Sequence, residues 1–391
     1  MTRPLVAHVT TTDISLALLL GPQLVAFQEA GFDIVGVSAP GPHVETLRSL
    51  GIRHVGLKHA TRAMHPARDV AALAELRRVF ASMQPDIVHT HNPKPGVYGR
   101  LAARAAKVPA VVNTVHGLYA QPEDPWLRRG VVYGLEGIAA RCSDAELVQN
   151  VEDIPVLRRL GIPAERLHFL GNGIDLDRFD PGRVDPSARA RLRAEWGIDE
   201  SSVVCGVVGR LVWEKGYREI FEAARLLRRR APHVRFVIVG PTDGDKRDAV
   251  PAAHLEAAAA SGTIVIAGER RDVDACYAAF DLYALASYRE GFPRSAMEAA
   301  AMGLPVVATN VRGCRQVVDD GRTGRLVPAR DAGALADAIA DIAGGPVLRQ
   351  DMGAAGREKA RKEFDHRRCI DLTVHVYEQL LARARFAQVA S

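Results

Sequence analysis

Two carboxylates, Glu290 and Glu298, bracket the segment Glu290-Gly291-Phe292-Pro293-Arg294-Ser295-Ala296-Met297-Glu298. The run that follows Pro293 is helix-forming as far as Met302, and Gly303 and Pro305 stop it. Proline suits a first helical position, where a missing N–H costs nothing. Glu290 is therefore expected in the loop at a strand's end and Glu298 on the helix. The unpaired N–H groups of that helix end form an anion and hydroxyl site. Beside it, a loop carboxylate could bind sugar hydroxyls and a carboxylate about two turns on could bind a ribose. Taken alone, the pair is better explained as a strand–loop–helix with two surface glutamates, because short motifs recur by chance.

A second constellation lies about one domain core earlier. Gly209-Arg210 ends a predicted strand, and Lys215-Gly216 precedes a predicted helix starting near Tyr217. Arg210 offers a fixed fork of donors and Lys215 a mobile point charge, so both could reach one diphosphate. Their plain alternative is two solvated surface cations. His116 ends the strand 111–115, and Gly117 follows. His89 and His91 flank another strand end; paired histidines suggest a metal, but no third ligand is evident nearby. At the first strand–helix junction, Thr10-Thr11-Thr12-Asp13-Ile14-Ser15, the hydroxyl of Thr12 and the carboxylate of Asp13 could contact an acceptor, or Asp13 could cap the helix.

These residues need elements to hold them. Strand-like runs at Val6–Thr10, Phe32–Ser38, Asp86–Thr90 and Ala110–Val115 alternate with helical runs, and the theme repeats at Val203–Val208, Arg235–Gly240, Thr263–Ala267, Leu282–Ala286 and Pro305–Thr309. Such alternation predicts α/β architecture with parallel sheets covered on both faces. Ligands of such sheets bind at the carboxyl ends of strands. Two sheets with separate cores suit a chain of 391 residues. Turn residues cluster at Leu170-Gly171-Asn172-Gly173 and mark the join. Everything after Asp331 reads as helix, and residues 243–251 read as a charged loop or helix start.

Composition narrows the function class. A quarter of the residues are charged and 48% are hydrophobic, as in ordinary globular proteins. The net charge of +5 is too small an excess to indicate nucleic-acid binding. Five scattered cysteines without a C-x-x-C indicate a reducing, cytoplasmic setting. The apolar run Ile14–Leu20 is short, lacks a strongly basic flank and reads as a first helix on a sheet rather than a signal segment. Pro125-Trp126-Leu127-Arg128-Arg129 reads as part of a helix packed within its domain, with peripheral contact to the inner membrane surface as the alternative.

The segment 290–298, together with Val208-Gly209-Arg210-Leu211-Val212-Trp213-Glu214-Lys215-Gly216 in the expected order, closely resembles the donor-site motifs of the family 4 retaining glycosyltransferases. The resemblance covers nearly the full length. It implies the GT-B fold, two Rossmann-like parallel-sheet domains facing across a cleft. The implied division is an acceptor-side domain, residues 1–171 plus a returning 370–391, and a donor-binding domain, 172–369. It also implies a nucleotide-sugar donor, most simply a UDP-sugar, and a saccharide or lipid-linked saccharide acceptor in surface polysaccharide synthesis. Donor contacts then fall to Gly209, Arg210, Lys215, Glu290, Gly291, Phe292, Pro293 and Glu298. Gly268-Glu269-Arg270-Arg271-Asp272-Val273 resembles the loop whose backbone reads the base, with Arg271 at its centre. The segment Thr114-Val115-His116-Gly117 resembles the family's sugar-contacting histidine. Catalytic weight falls on Glu290, His116, Arg210 and Lys215, without a metal or other cofactor. The chain departs from the family at Thr10–Ser15, where a Gly-Gly pair is common, and at Gln316, where an acid is common.

Other readings are weaker. A sugar-nucleotide 2-epimerase shares the two-domain fold but lacks the Glu-Gly-Phe-Pro signature. A non-catalytic sugar-nucleotide binder does not require the full set of glutamates, cations and histidine. A dehydrogenase or P-loop NTPase would need glycine motifs that are missing here.

Overall fold

The computed structural model describes residues 3–61, 65–91, 93–118, 120, 124–242 and 248–389. Most of the charged loop read at 243–251 lies outside them. The chain forms two compact units, Met1–Gly171 with Arg367–Ser391, and Asn172–His366. The return to the first unit thus begins slightly before the residue 370 read from the sequence.

The first unit holds a parallel sheet of seven strands: β1 (Leu5–Thr12), β2 (Asp33–Ala39), β3 (Arg53–Gly56), β4 (Ile87–His91), β5 (Ala110–Val115), β6 (Ala145–Val148) and β7 (Leu167–Phe169), in the order β3-β2-β1-β4-β5-β6-β7. Successive side chains enter opposite layers. Val6 and Ile34 join one apolar core, which the C-terminal residues Ile370, Val376, Tyr377 and Leu380 complete. Ala7, Val9, Val35 and Val37 join the other, beneath Leu76 and Phe80. Burial on both faces is why these strands read as unbroken apolar runs.

The second unit repeats the plan with β8 (Val203–Val208), β9 (Val234–Val239), β10 (Ile264–Gly268), β11 (Leu282–Leu285), β12 (Val306–Thr309) and β13 (Gly324–Val327), all parallel, in the order β10-β9-β8-β11-β12-β13. In each sheet the strand order reverses at one place, between β1 and β4 and between β8 and β11. The loops after those strands diverge there and leave a crevice at the carboxyl edge.

Strands β3, β6, β7 and β13 were not anticipated from the sequence; each spans three or four residues. Chain beyond Asp331 is helical, in segments Ala332–Gly344, Pro346–Glu363 and His366–Val389. The apolar N-terminal run is indeed intradomain helix, a π-helical turn at Ser15–Leu20 continued by Gly21–Glu29. Among the described residues, no helix is long and apolar enough to cross a membrane.

Candidate active site

In the second unit the crevice between β8 and β11 gathers the residues singled out from the sequence. Tyr217 Oη donates to the Gly209 carbonyl at 3.0 Å. Gly240 comes so close that a Cβ there would meet the Gly209 oxygen at 2.0 Å. After exposed Arg210, a single 3₁₀ turn, Trp213–Lys215, leads into Gly216, whose φ of 77° is left-handed. A Cβ on Gly216 would lie 2.0 Å from the Ala286 carbonyl oxygen, so only glycine lets the helix Tyr217–Arg230 start against the end of β11. That approach carries Lys215 across to the neighbouring loop, where its Nζ donates to Glu290 Oε1 at 2.6 Å. The Glu290 side chain is only 9% exposed and Lys215 26% exposed.

The loop of Glu290, Gly291 and Phe292 is pinned from several sides. Asn172 Nδ2 donates to the Phe292 carbonyl at 3.0 Å. The Phe292 ring stands edge-on to Phe364 at 5.9 Å. Gly313 packs on the loop backbone, where a Cβ would come within 2.6 Å of the Gly291 oxygen. None of Asn172, Gly313 and Phe364 was among the expected site residues. The glycine's requirement is visible only once β12 places it beside β11. Pro293 sits at the cap of the helix Arg294–Ala301 rather than inside its first turn.

Glu298 lies on that helix and accepts from Tyr277 Oη at 3.0 Å. Burial raises its pKa above the ordinary carboxyl value, against the opposing pull of Arg294 and the Tyr277 hydrogen bond. Arg271 is exposed at the end of β10, and its carbonyl accepts from Arg178 at 2.9 Å. Asp272 stands at the N-terminal end of the helix Val273–Ala279 without a side-chain cap bond. It pairs instead with Arg270, at 2.9 and 2.8 Å.

In the first unit, the corresponding edge carries histidines. His8, His89 and His91 are buried, and one nitrogen of each lies within 4.8 Å of the others. The third histidine that the sequence did not reveal is therefore His8, on the strand paired with β4. Their nitrogens are joined by hydrogen bonds. His116 Nε2 meets His91 Nδ1 at 3.2 Å, His91 Nε2 meets His8 Nδ1 at 3.0 Å, and His8 Nε2 meets Tyr377 Oη at 3.3 Å. Tyr377 bonds His89 Nδ1, and His89 Nε2 meets Thr114 Oγ1 at 2.7 Å. One neutral tautomer per ring satisfies the whole run, each imidazole donating once and accepting once. An ion would have to displace these partners. Burial lowers the pKa of His8 to about 3 and of His116 to about 4, the latter against a hydrogen bond with Gln149. His89 and His91 are held well below the ordinary value, chiefly by burial.

Asp13 is turned inward and 4% exposed. Its oxygens accept from the backbone N–H of Ile14 at 2.9 Å and of His43 at 2.7 Å, which ties β1 to the loop after β2. Thr12 is the last residue of β1, with its carbonyl held by Thr10 Oγ1 at 2.8 Å.

Two Rossmann-like parallel-sheet domains, with polar side chains collected at the switch point of each, define the GT-B class. The structure of Anabaena HepE in complex with UDP and glucose matches with a TM-score of 0.80 at 20% identity, over 96% of this chain and 100% of that one. Residues 23–178 match Glycosyltransferase Family 4, and residues 188–359 match Glycosyl transferases group 1. A D-inositol 3-phosphate glycosyltransferase of Xylanimonas cellulosilytica is 33% identical over 76% of this chain and 73% of its own length. The UDP-Gal:alpha-D-GlcNAc-diphosphoundecaprenol alpha-1,3-galactosyltransferase of Escherichia coli is 29% identical over 88% and 89%. The chain belongs to the family 4 glycosyltransferases.

Proposed function

We propose that the protein is a retaining glycosyltransferase that moves a sugar from a UDP-sugar to a saccharide or lipid-linked saccharide acceptor in surface polysaccharide synthesis. The observation that carries this reading is the contact between Lys215 and Glu290 at the β8/β11 switch point, with Arg210 in the loop that follows β8. The nucleotide is supported by the similarity to a galactosyltransferase named for UDP-Gal and to a structure holding UDP. The lipid-linked acceptor is supported by that same relative, named for a diphosphoundecaprenol substrate.

In this reading the second unit binds the donor. Arg210 and Lys215 hold the diphosphate and stabilise the charge it gains as the glycosidic bond breaks. Glu298 receives ribose hydroxyls, the loop at Gly291 and Phe292 borders the sugar, and the backbone at Arg271 reads the base. Retaining glycosidases use one carboxylate as nucleophile and a second as acid. Glu290 is already ion-paired, which suits orienting a sugar hydroxyl rather than attacking carbon. Retention then follows from attack on the face the diphosphate leaves, the departing phosphate oxygen taking the acceptor's proton. The first unit serves the acceptor, with Thr12 at its edge; Asp13 acts by fixing the loop rather than by touching substrate. His116 contacts the donor sugar. No divalent metal is needed, because the two cations supply the positive charge.

The test is transfer from a panel of nucleotide sugars, with the anomeric configuration of the product read by NMR. A retained anomer, transfer that persists in EDTA, and loss of transfer in Glu290→Ala are expected. Donor consumed without acceptor to give an epimerised sugar would replace this reading with the epimerase. For His116→Ala, intact sugar nucleotide should lose more affinity than free UDP; equal losses would remove the histidine from the sugar contacts.

A further inference from the structure

The helix Trp126–Ala140 has its polarity reversed. Between Gly130 and Ala140 its single charged residue is Glu136, and this side chain faces the protein interior. There it accepts from Arg100 at 2.7 Å, and Arg100 is wholly buried. Ala139, Ala140 and Tyr133 share the inner side; Tyr133 Oη donates to the Ala120 carbonyl at 3.1 Å. Leu127, Val131, Leu135 and Ile138 recur at the spacing of one helical stripe and point outward, and Trp126 stands at the N-terminal end. These five side chains are 42 to 77% exposed. Between them, a Cβ added at Gly130 or Gly134 would meet nothing within 4 Å. An ordinary surface helix turns its charges outward and its leucines inward. The Arg100–Glu136 pair rules out a rolled helix as the explanation, since rolling it would strip a buried guanidinium of a partner.

We propose that this face is a membrane-docking surface that lies flat in the headgroup region of an anionic bilayer. The charge pattern selects that occupant. Arg128 borders the stripe at one end, 46% exposed beside Asp124. At the other end stand exposed Arg141 and, on the helix Ile154–Arg159, exposed Arg158 and Arg159. That second helix runs into Leu160, whose Cβ would lie 3.7 Å from a Cβ on Gly137. Among the described residues, the helix carries no carboxylate on its outer face. An apolar stripe with an aromatic at one end and a basic rim is the pattern of a helix that enters the interface without crossing it. The inference deepens the reading of a lipid-linked acceptor. It would hold the first unit against the surface on which such an acceptor resides.

The experiment is co-sedimentation of the full chain with vesicles of phosphatidylethanolamine and phosphatidylglycerol, against vesicles of phosphatidylcholine. Binding to the anionic vesicles, weakened by salt and accompanied by a blue shift in emission that Trp126→Phe removes, is expected. Leu127→Ser/Val131→Ser/Leu135→Ser should lower partitioning at least about tenfold, since each lost apolar group forfeits insertion energy. Arg141→Gln/Arg158→Gln/Arg159→Gln should erase the preference for anionic lipid. All six positions are exposed, so UDP binding and circular dichroism should be unchanged and confirm that the variants fold. Wild-type protein that ignores both vesicles, or a triple-serine variant that binds as well as wild type, overturns the proposal. So does a concentration-dependent dimer that the serine variant abolishes, because the face would then belong to a second copy. Vesicle binding that survives while UDP binding is absent would leave this surface standing and sink the donor-site reading instead.

Discussion

If Lys215 holds the donor diphosphate and Glu290 serves transfer as proposed, their contact makes opposite demands on affinity and turnover, and substitution separates them. Lys215→Ala removes one charge-assisted contact to a diphosphate, worth about 1.5–3 kcal/mol. At about 1.4 kcal/mol per decade, that is roughly a 10- to 150-fold rise in the Kd for UDP. It also leaves the Glu290 carboxylate, 9% exposed, without its cation and close to where phosphate must bind, so the loss should fall in the upper part of that range. Glu290→Ala does the reverse. It releases Lys215 from a 2.6 Å ion pair, and UDP should bind as tightly as to wild type or more tightly, while transfer is lost. The double variant should recover part of the affinity lost in Lys215→Ala, with a coupling of about 0.5–3 kcal/mol, as contacting residues commonly show. Titration calorimetry with UDP on the four proteins gives the whole cycle, and transfer assays run in parallel. If Glu290→Ala weakens UDP binding as much as Lys215→Ala, the glutamate holds nucleotide directly and the assignment of charges here is wrong.

Three further outcomes follow from the titratable groups. Burial raises the Glu298 pKa, and a ribose diol is held more strongly by the ionised carboxylate, whose two oxygens both accept; UDP affinity should therefore decline as pH falls through that raised value, and Glu298→Gln should flatten the profile. A wild-type affinity that stays level as pH is lowered to the acid limit of the folded state would refute the ribose contact. Glu146→Ala should cost about 3 kcal/mol in denaturant unfolding, because wholly buried Arg100 keeps only part of its compensation, from Glu136: Arg100 Nη1 donates to Glu146 Oε1 at 2.6 Å, and Asn113 Nδ2 donates to Glu146 Oε2 at 2.7 Å. A loss below about 1 kcal/mol would mean the pair is not buried as described. The lowered pKa values of His8 and His116 mean the folded state binds fewer protons than the unfolded chain. Their contribution is complete above the ordinary value of 6.5 and is lost as pH falls toward about 3 and about 4. Stability should drop by about 1.4 kcal/mol per pH unit for each buried imidazole in that window. Urea midpoints that do not move between pH 7 and pH 4.5 would contradict it.

The long central strands were legible because both of their faces are buried, and a doubly buried strand leaves a short, β-branched apolar run bounded by turn residues. Ala110–Val115 and Val203–Val208 were read to the residue. β6 was not, because Glu146 sits inside it and breaks the apolar signal; the compensation, Arg100, lies 46 positions away in a helix. Cations and glutamates of the candidate site were visible as spaced motifs. What holds them in place was not. Gly216 and Gly313 act through the carbonyls of Ala286 and Gly291, and such pairings exist only after the sheet order is known. His8 escaped for the same reason: nothing local distinguishes a histidine in β1 until β4 is laid beside it.

The first unit is assembled from two segments that lie on either side of the second unit in sequence. Ile370, Val376, Tyr377 and Leu380 share one apolar layer with Val6, Leu16 and Ile34, and Tyr377 also closes the histidine run. On the ribosome, chain is released from the N-terminus onward, and domains ordinarily fold in that order. Here the domain begun first must wait for a segment made after the second unit. Its sheet can pair early, but one of its two layers stays open until the helix His366–Val389 emerges, by which time the whole of the second unit has been synthesised. The contacts that complete it span more than 360 positions, which slows closure. A nascent or truncated chain ending before residue 367 would therefore hold a formed second unit beside an unfinished first one, and would expose the apolar layer that invites aggregation or a chaperone.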